Sequence, residues 1–484
     1  MMTANPSRRD LLQTGLAAGA VALAPRPAAA DPRPILNDAS RLNPTPVMRH
    51  VVRGPDPHDQ LVAAIRAELK DAAANRRPVA VGAARHSMGG QSLARDGTAL
   101  ELDGRRVEVD RAAGFYRVDA GARWSDVIRT LDGIGFSPLV MQSNNDFGVA
   151  STFCVNAHGW PTPHGPFGAT VRSLRMILAD GSLVTCSPHE NADLFAHAMG
   201  GYGLFGIILD LDVAMTPNLL LLPTAEAMPA EDFAKRFIAA VKDDSAVRMA
   251  YGRLSVGRRN FFKDALLTTY RPDSSPNASL PPARHDSAMT ATLNRIYRAQ
   301  IGHELIKNAR WGLETRINPL LSSGAVTRNT LMNEPVSNLA NEDPRRTDIL
   351  HEYFVSPDRF NDFLVLCRDV IPKAKAEFIN VTLRYVEADP VSRLAYAATP
   401  RICAVMSFSQ EMSVKGEVDM LTTTERLIEG VVAIGGAFYL PYRLHARRDQ
   451  VERAYPNAAS FAAQKREADP GLLFRNAMWQ AYFA

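Results

Sequence analysis

Two glycine-rich segments hold residue types suited to an anion and a flat ring. Gly82-Ala83-Ala84-Arg85-His86-Ser87-Met88-Gly89-Gly90-Gln91-Ser92 follows the apolar run Pro78-Val79-Ala80-Val81. Consecutive backbone N–H groups in such a loop form a nest that can hold a diphosphate, and the Ser87 hydroxyl adds a donor. Further along, Phe147-Gly148-Val149-Ala150-Ser151-Thr152-Phe153-Cys154-Val155-Asn156-Ala157-His158-Gly159 is a run of small residues closing on Asn-Ala-His-Gly. Small side chains let an aromatic ring lie against the backbone, whose N–H groups then polarise it. Taken singly, each segment is also compatible with an ordinary tight loop.

Other spacings exclude chemistries. Gly201-Tyr202-Gly203-Leu204-Phe205-Gly206 spells a dinucleotide fingerprint, but a helical segment precedes it and the strand-like Ile207-Ile208-Leu209-Asp210-Leu211 follows, the reverse of the order that fingerprint requires. Its glycines serve a tight passage in which the backbone approaches either a chain neighbour or a cofactor. His303-Glu304 and His351-Glu352 lack a second histidine one helical turn on, so neither pair forms a zinc protease motif. Arg85 stands where a serine-hydrolase elbow around Ser87 would need glycine. Cys154, His158 and His164 have loosely ligand-like spacing but no evident fourth ligand, and no metal is expected.

The elements that must position these loops can be read coarsely. Residues 78–81 read as a strand, and 172–179 with 182–187 as a hairpin around Asp180-Gly181. A helix is predicted over 191–199 with Asn191 as its cap, and another over 230–242. Strands recur at 377–386 and 401–409, and a charged helix begins at Arg447 after the turn Tyr439-Leu440-Pro441-Tyr442. The polar, proline-containing stretches 271–286 and 318–347 read as loops.

The chain has 484 residues, 46% apolar and 22% charged, enough for a large core and for two domains or one interrupted domain. Its four cysteines, Cys154, Cys186, Cys367 and Cys403, form no CxxC pair, which argues against a disulfide scaffold. With 55 basic and 51 acidic residues the balance gives no reason to expect nucleic acid as a partner, and a small-molecule substrate is expected. The start is an address. Ser7-Arg8-Arg9-Asp10-Leu11-Leu12 opens an apolar run to Ala24, and Ala28-Ala29-Ala30 forms a cleavage pattern before Asp31. Residues 1–30 look like a twin-arginine signal peptide, implying a periplasmic or secreted protein. The run is shorter than the roughly 20 apolar residues of a membrane span, so stable membrane insertion is not expected.

Together the two loops resemble a known family. From Arg77 to Met215 the order of His86-Ser87-Met88-Gly89-Gly90-Gln91, then Val155-Asn156-Ala157-His158-Gly159, Asp180-Gly181-Ser182-Leu183-Val184, Glu190-Asn191-Ala192-Asp193-Leu194-Phe195 and the glycine turn to Ile207 resembles the FAD-binding domain of the vanillyl-alcohol oxidase superfamily, the PCMH type. Tyr439-Leu440-Pro441, Asp469-Pro470 and Phe474-Arg475-Asn476 resemble that family's C-terminal return.

The resemblance implies an α+β fold with a two-part FAD-binding domain over 45–215, a substrate (cap) domain of antiparallel sheet and helices over 216–437, and a return over 438–484. It assigns FAD contacts to Gly82, Arg85, His86, Ser87, Met88, Gly89, Gly90 and Gln91 in the first loop. Beyond it, contacts fall to Ser143, Gly148, Ser151, Thr152, Val155, Asn156, His158, Gly159, Gly206, Ile207 and Tyr442. As in cytokinin dehydrogenases and alditol oxidases, His86 is expected to carry the flavin through its 8α-methyl carbon, although Arg85 replaces the preceding glycine. Ser151 stands where relatives usually have glycine, and Cys154 lies within the small-residue run rather than ahead of it, so a second bond is not expected.

The implied reaction is hydride transfer from a CH–OH group of a sugar, polyol or lactone, with oxygen, a quinone or a cytochrome as acceptor. Asp146 is expected as the base, while Glu352, Arg384, Glu387, Tyr442 and His445 lie in segments that face the flavin in relatives, with Arg384 the best-placed electrostatic partner and Tyr442 a ring contact. Oxidation of a CH–NH bond, as in cytokinin dehydrogenases, and a non-catalytic flavin-binding protein are the alternatives.

Overall fold

Thr98–Leu102 is buried on both faces because it is the centre of a parallel three-stranded sheet, between Arg49–Arg53 and Val79–Gly82. The helix His58–Ala74 links the two outer strands, burying Val62, Ile65, Leu69 and Ala72 along one stripe. In the computed structural model the described residues are 33–274, 280–284, 294–317, 324–336, 341 and 343–484. The export signal expected over 1–30 and parts of the two polar stretches lie outside them.

The hairpin around Asp180-Gly181 forms as the sequence predicts. Val171–Ile177 pairs antiparallel with Leu183–Cys186, and Gly181 takes the left-handed φ of +85° that the turn needs. These strands join Ile207–Pro217, Phe115–Asp119, Val107–Asp110 and Phe136–Pro138 in a six-stranded antiparallel sheet.

An eight-stranded sheet forms from later residues, in the order Val326–Thr327, Leu220–Pro229, Asp264–Pro272, Met249–Leu254, Glu377–Val386, Arg401–Glu411, Arg346–Val355, Ala437–Phe438. Its pairings, too, are antiparallel, so the fold is α+β with mainly antiparallel sheets. Register matters here. Asn380 lies opposite Ser407, Thr382 opposite Val405 and Arg384 opposite Cys403, while Leu350 and Glu352 pair with Ser407 and Val405. Strand side chains alternate between faces, so these residues share one face. The helix Val414–Ala433 packs against the Arg346–Val355 and Arg401–Glu411 strands.

Two expectations need correction. Asn191 precedes the helix Ala192–Ala198, but at φ +48° it is left-handed, and its side chain donates to the Thr185 carbonyl instead of capping. Within 318–347, expected as loop, the described residues include the strand Val326–Thr327 and the helix Arg328–Met332, capped by the Thr327 hydroxyl accepting from the Thr330 N–H. Arg328 and Asn329 of that helix are buried.

Two long-range contacts hold the first loop. Val79 donates to the Leu473 carbonyl at 2.8 Å and accepts from the Arg475 N–H at 3.2 Å. The Met88 N–H donates to Pro441 at 2.8 Å, and the Gln91 amide donates to Leu440 at 2.7 Å and Tyr442 at 3.0 Å. Among the described residues no helix is long and apolar enough to cross a membrane.

Candidate functional site

A cavity of about 650 Å³ lies between the glycine-rich loops and the shared face of the eight-stranded sheet. Gly82 to Met88, Gln91 and Ser92 line one part of it. Among the described residues the backbone N–H groups of Ala83 to Ser87 donate to no protein acceptor, and the Ser92 hydroxyl is buried without a partner. A row of free backbone donors on a cavity-lining loop is what a diphosphate requires. Arg85 sits in the left-handed region at φ +51°, which accounts for glycine at this place in the family that the sequence resembles.

His86 lines the same cavity and stacks on Phe147, ring centroids 4.2 Å apart. Burial, joined by the nearby Arg123 guanidinium, holds the imidazole below its ordinary pKa against the opposing charge of Asp146. His86 is therefore neutral near pH 7.

The small-residue run forms a short helix, Val149–Cys154, and supplies Gly148, Ala150, Ser151, Thr152, Val155, Ala157 and His158 to the cavity. A Cβ on Gly148 would come within 3.0 Å of Ala83 and 3.3 Å of Arg123, so glycine brings the two loops together. The glycines of 201–206 divide. A Cβ on Gly201 would lie 2.0 Å from the His197 carbonyl, and one on the cavity-lining Gly206 2.3 Å from Met176, whereas Gly203, at φ +71°, also lines the cavity and has none of the described residues within 4 Å of such a Cβ.

The sheet supplies the opposite wall. Asn380, Thr382, Arg384, Val405, Ser407, Leu350 and Glu352 all line the cavity, joined by Tyr297, Gln142, Ser143 and Asn144. His158 Nε2 lies 2.6 Å from Glu352 Oε2, and the Tyr442 hydroxyl donates to Glu352 Oε1. The Cys403 thiol lies 3.7 Å from Glu352 Oε2. Arg384 donates to the His158 carbonyl at 3.4 Å and to the Ser143 hydroxyl. Burial favours the neutral form of Glu352, but His158, Arg384 and Tyr442 outweigh it and hold the carboxyl below its usual pKa. Burial likewise holds His158 below its usual value, against Glu352. A carboxylate facing a neutral imidazole fixes the proton on Nε2, donating to Glu352.

His158, Glu352 and Cys403 bring three possible ligand atoms within 4.8 Å of one another. The 2.6 Å between nitrogen and oxygen is a hydrogen-bond length, shorter than the roughly 3.3 Å between ligands at 2.0 Å on a tetrahedral zinc. The trio is a hydrogen-bonded group.

Of the residues expected to contact FAD, Gly82, Arg85, His86, Ser87, Met88, Gln91, Ser143, Gly148, Ser151, Thr152, Val155, His158, Gly206 and Tyr442 line the cavity. The remainder serve the chain. The Gly89 N–H donates to Gln91 Oε1 and the Gly90 N–H to Asp38 Oδ2, so neither is free for a phosphate. Asn156 is buried between Asp389, to which it donates, and the Gly168 N–H, from which it accepts. A Cβ on Gly159 would lie 1.9 Å from the Met141 carbonyl, and Ile207 is a core residue paired with Ile177.

Arg384 stands on the cavity wall, but Asp146, expected as the base, does not: both its carboxylate oxygens accept from the Val336 N–H at 3.1 Å. Glu387 is likewise off the cavity, paired with Lys242, and His445 lies behind the sheet against Glu417 and Thr424. Glu352 had been one segment residue among several. Its place opposite His158 follows from strand register, which local sequence does not display.

Comparison with known proteins agrees with these loops. Residues 58–187 match the FAD binding domain family. The chain is 37% identical over 147 residues to cytokinin dehydrogenase 7 of Oryza sativa subsp. japonica, covering 29% of this chain and 28% of that protein. It is 32% identical over 158 residues to an uncharacterised oxidoreductase from the fasciation locus of Rhodococcoides fascians, covering 32% and 36%. It is 30% identical over 115 residues to a putative D-arabinono-1,4-lactone oxidase of Neurospora crassa, covering 24% and 21%. The matches thus span about a third or less of each of these relatives.

The cavity fits the group this family binds. Free N–H donors on its lining suit a diphosphate, and glycine and alanine in the lining leave room for a flat ring.

Proposed function

We propose, on the premise that residues 58–187 form an FAD binding domain, that this protein is an FAD-dependent oxidoreductase acting on a CH–OH group of a small neutral polyhydroxylated molecule, such as a sugar, polyol or lactone. In this reading the domain is the two-part PCMH type over 45–215, with a cap over 216–437 and a return over 438–484. FAD, when bound, takes up the hydrogen of the C–H bond with its two electrons. The N–H groups of Ala83 to Ser87 hold the diphosphate, and His86 carries the flavin covalently.

The observation that supports the substrate class is the wall opposite His86. Gln142, Ser143, Asn144, Asn380, Thr382, Ser407 and Tyr297 line one cavity with neutral polar side chains, held in place by hydrogen bonds to their neighbours. Arg384, its guanidinium already donating to Ser143 and His158, stands where it can stabilise the negative charge that grows on a reacting oxygen. Oxidation of a CH–NH bond is the second reading, favoured by the likeness to cytokinin dehydrogenase 7. Export through residues 1–30 belongs to the same proposal, as does an external electron acceptor.

The test is purified protein mixed under nitrogen with panels of sugars, polyols, lactones and amines while the visible flavin band is followed. Rapid bleaching by a polyhydroxylated compound supports the reading. Bleaching by amines alone moves it to CH–NH chemistry, and no bleaching by any compound leaves a flavin-binding protein without this activity.

A further inference from the structure

The cavity-facing group around Glu352 does more than fill space. Glu352 is 7% exposed and His158 3%, yet both line the cavity, as do Tyr442 and Arg384. A carboxylate taken this far out of water is costly unless donors compensate it. Here the compensation is directional: the Tyr442 hydroxyl meets Oε1, and the His158 Nε2–H and the Cys403 thiol meet Oε2.

His158 cannot itself store a proton. Among the described residues its Nδ1 is buried without a partner, and the rings of Phe354, Tyr396 and Tyr439 surround the imidazole at centroid distances of 5.3, 6.0 and 6.1 Å. A second proton there would bury an N–H that has no acceptor. His158 is therefore a fixed donor, braced from its loop against a strand far along the chain. Glu352 Oε1, in contrast, faces a hydroxyl that already holds a proton ready to pass on.

We propose that Tyr442, Glu352 and His158 form a proton relay: Tyr442 Oη receives the proton of the substrate hydroxyl while its own phenolic proton passes to Glu352 Oε1, and His158 is the positioning residue that holds Glu352 in place. The balance is complete. The O–H proton ends one step on, at Glu352, the C–H hydrogen leaves with its electron pair to the FAD, and the carbon–oxygen bond becomes a carbonyl. Tyr442 is the catalytic residue that touches substrate. Arg384 is the cation facing the pair, and Cys403 the thiol behind it. This relay rests on the CH–OH reading, and it replaces Asp146 as the proton acceptor.

The test uses FAD-loaded protein, single-turnover bleaching under nitrogen, and the compound that reduces wild type fastest. Glu352→Gln and Tyr442→Phe are expected to slow bleaching at saturating substrate by roughly 100-fold or more, while the half-saturating concentration moves less than about threefold. His158→Asn is expected to shift the acid limb of the rate to higher pH, because Glu352 loses a donor that lowers its pKa. In the same FAD-loaded protein, labelled at histidine, nitrogen NMR should read His158 as the Nε2-protonated tautomer, assigned by the signal missing in His158→Asn.

Bleaching within threefold of wild type in both Glu352→Gln and Tyr442→Phe overturns the relay alone, as does an Nδ1-protonated His158. A wild type that no alcohol bleaches overturns the CH–OH reading and the relay with it. Tyr442→Phe keeps the ring, so it remains informative if Glu352→Gln folds poorly.

Discussion

The imidazole of His86 lies nearly parallel to the ring of Phe147, 4.2 Å between centroids and 21° between planes. The stack fixes the direction of a side chain whose neutral form, favoured by burial and Arg123, keeps a nitrogen lone pair available for a bond to carbon. His86→Ala is expected to release all flavin on acid precipitation, whereas wild type keeps in-gel fluorescence with the denatured chain. Phe147→Ala should still bind FAD but show a smaller covalent fraction, read as the ratio of retained to released flavin.

Asp146 and Arg384 should separate cleanly. The Asp146 carboxylate is bound to the Val336 N–H and stands off the cavity, and an asparagine oxygen can accept the same bond. Asp146→Asn is expected to leave flavin reduction within about threefold. Arg384→Met removes a buried guanidinium from the cavity wall and should cost roughly 100-fold or more, the scale of losing one oriented donor to developing charge. Stopped-flow rates for the two variants side by side decide it.

That contrast also marks what the sequence could reveal. The 82–92 and 147–159 loops were legible because a tight anion loop and a ring platform each demand small residues in one contiguous stretch. The direction of Asp146 was hidden for a related reason: adjacency to a loop gives position but not side-chain direction, and its partner, Val336, is 190 residues away in the chain. Glu352 and His158 are separated by 194 residues. Strand alternation shows which residues share a face, but not which loop that face meets. The buried Arg328 lay in a polar stretch that reads as loop, because its partners, Ser137, Pro138 and Leu139, are supplied by another segment.

Gly89 has no room for a side chain. A Cβ would lie 2.4 Å from the Tyr442 carbonyl, a backbone atom that cannot turn aside. Gly89→Ala is expected to lower unfolding free energy by about 2 kcal/mol, in the usual range for overpacking. Gly312→Ala, with nothing within 4 Å, should show no such loss. Denaturant titration of both variants tests this.

Stability should fall in mild acid through buried histidines. His351 is pushed down to about 3 by burial and by His445, and His164 to about 4 by burial and by Arg328 and Arg248. Their unfolded forms titrate near 6.5, so between that pH and their folded values the unfolded chain binds more protons. Stability is therefore full above about pH 6.5 and declines as pH falls toward 4, then 3. His351→Gln should flatten that slope in denaturation measured from pH 7.5 to 4.5.

The proposed export signal over residues 1–30 is testable by location. Replacing Arg8 and Arg9 together by Lys is expected to leave unprocessed protein in the cytoplasm, while the unaltered chain is recovered outside it, cleaved after Ala30. Fractionation followed by mass spectrometry of the N-terminus distinguishes the two.

The backbone bonds that tie Val79 to Leu473 and Arg475 have a consequence for biosynthesis. A nascent chain emerging from the ribosome has delivered the 82–92 loop long before the segment that flanks its strand and the Leu440–Tyr442 turn that pins its far side. Until residue 475 is free to dock, the loop that would grip a cofactor lacks at least one of its two clamps. A translation product stalled before residue 473 would carry every glycine of the pocket and still lack the backbone partners that flank Val79.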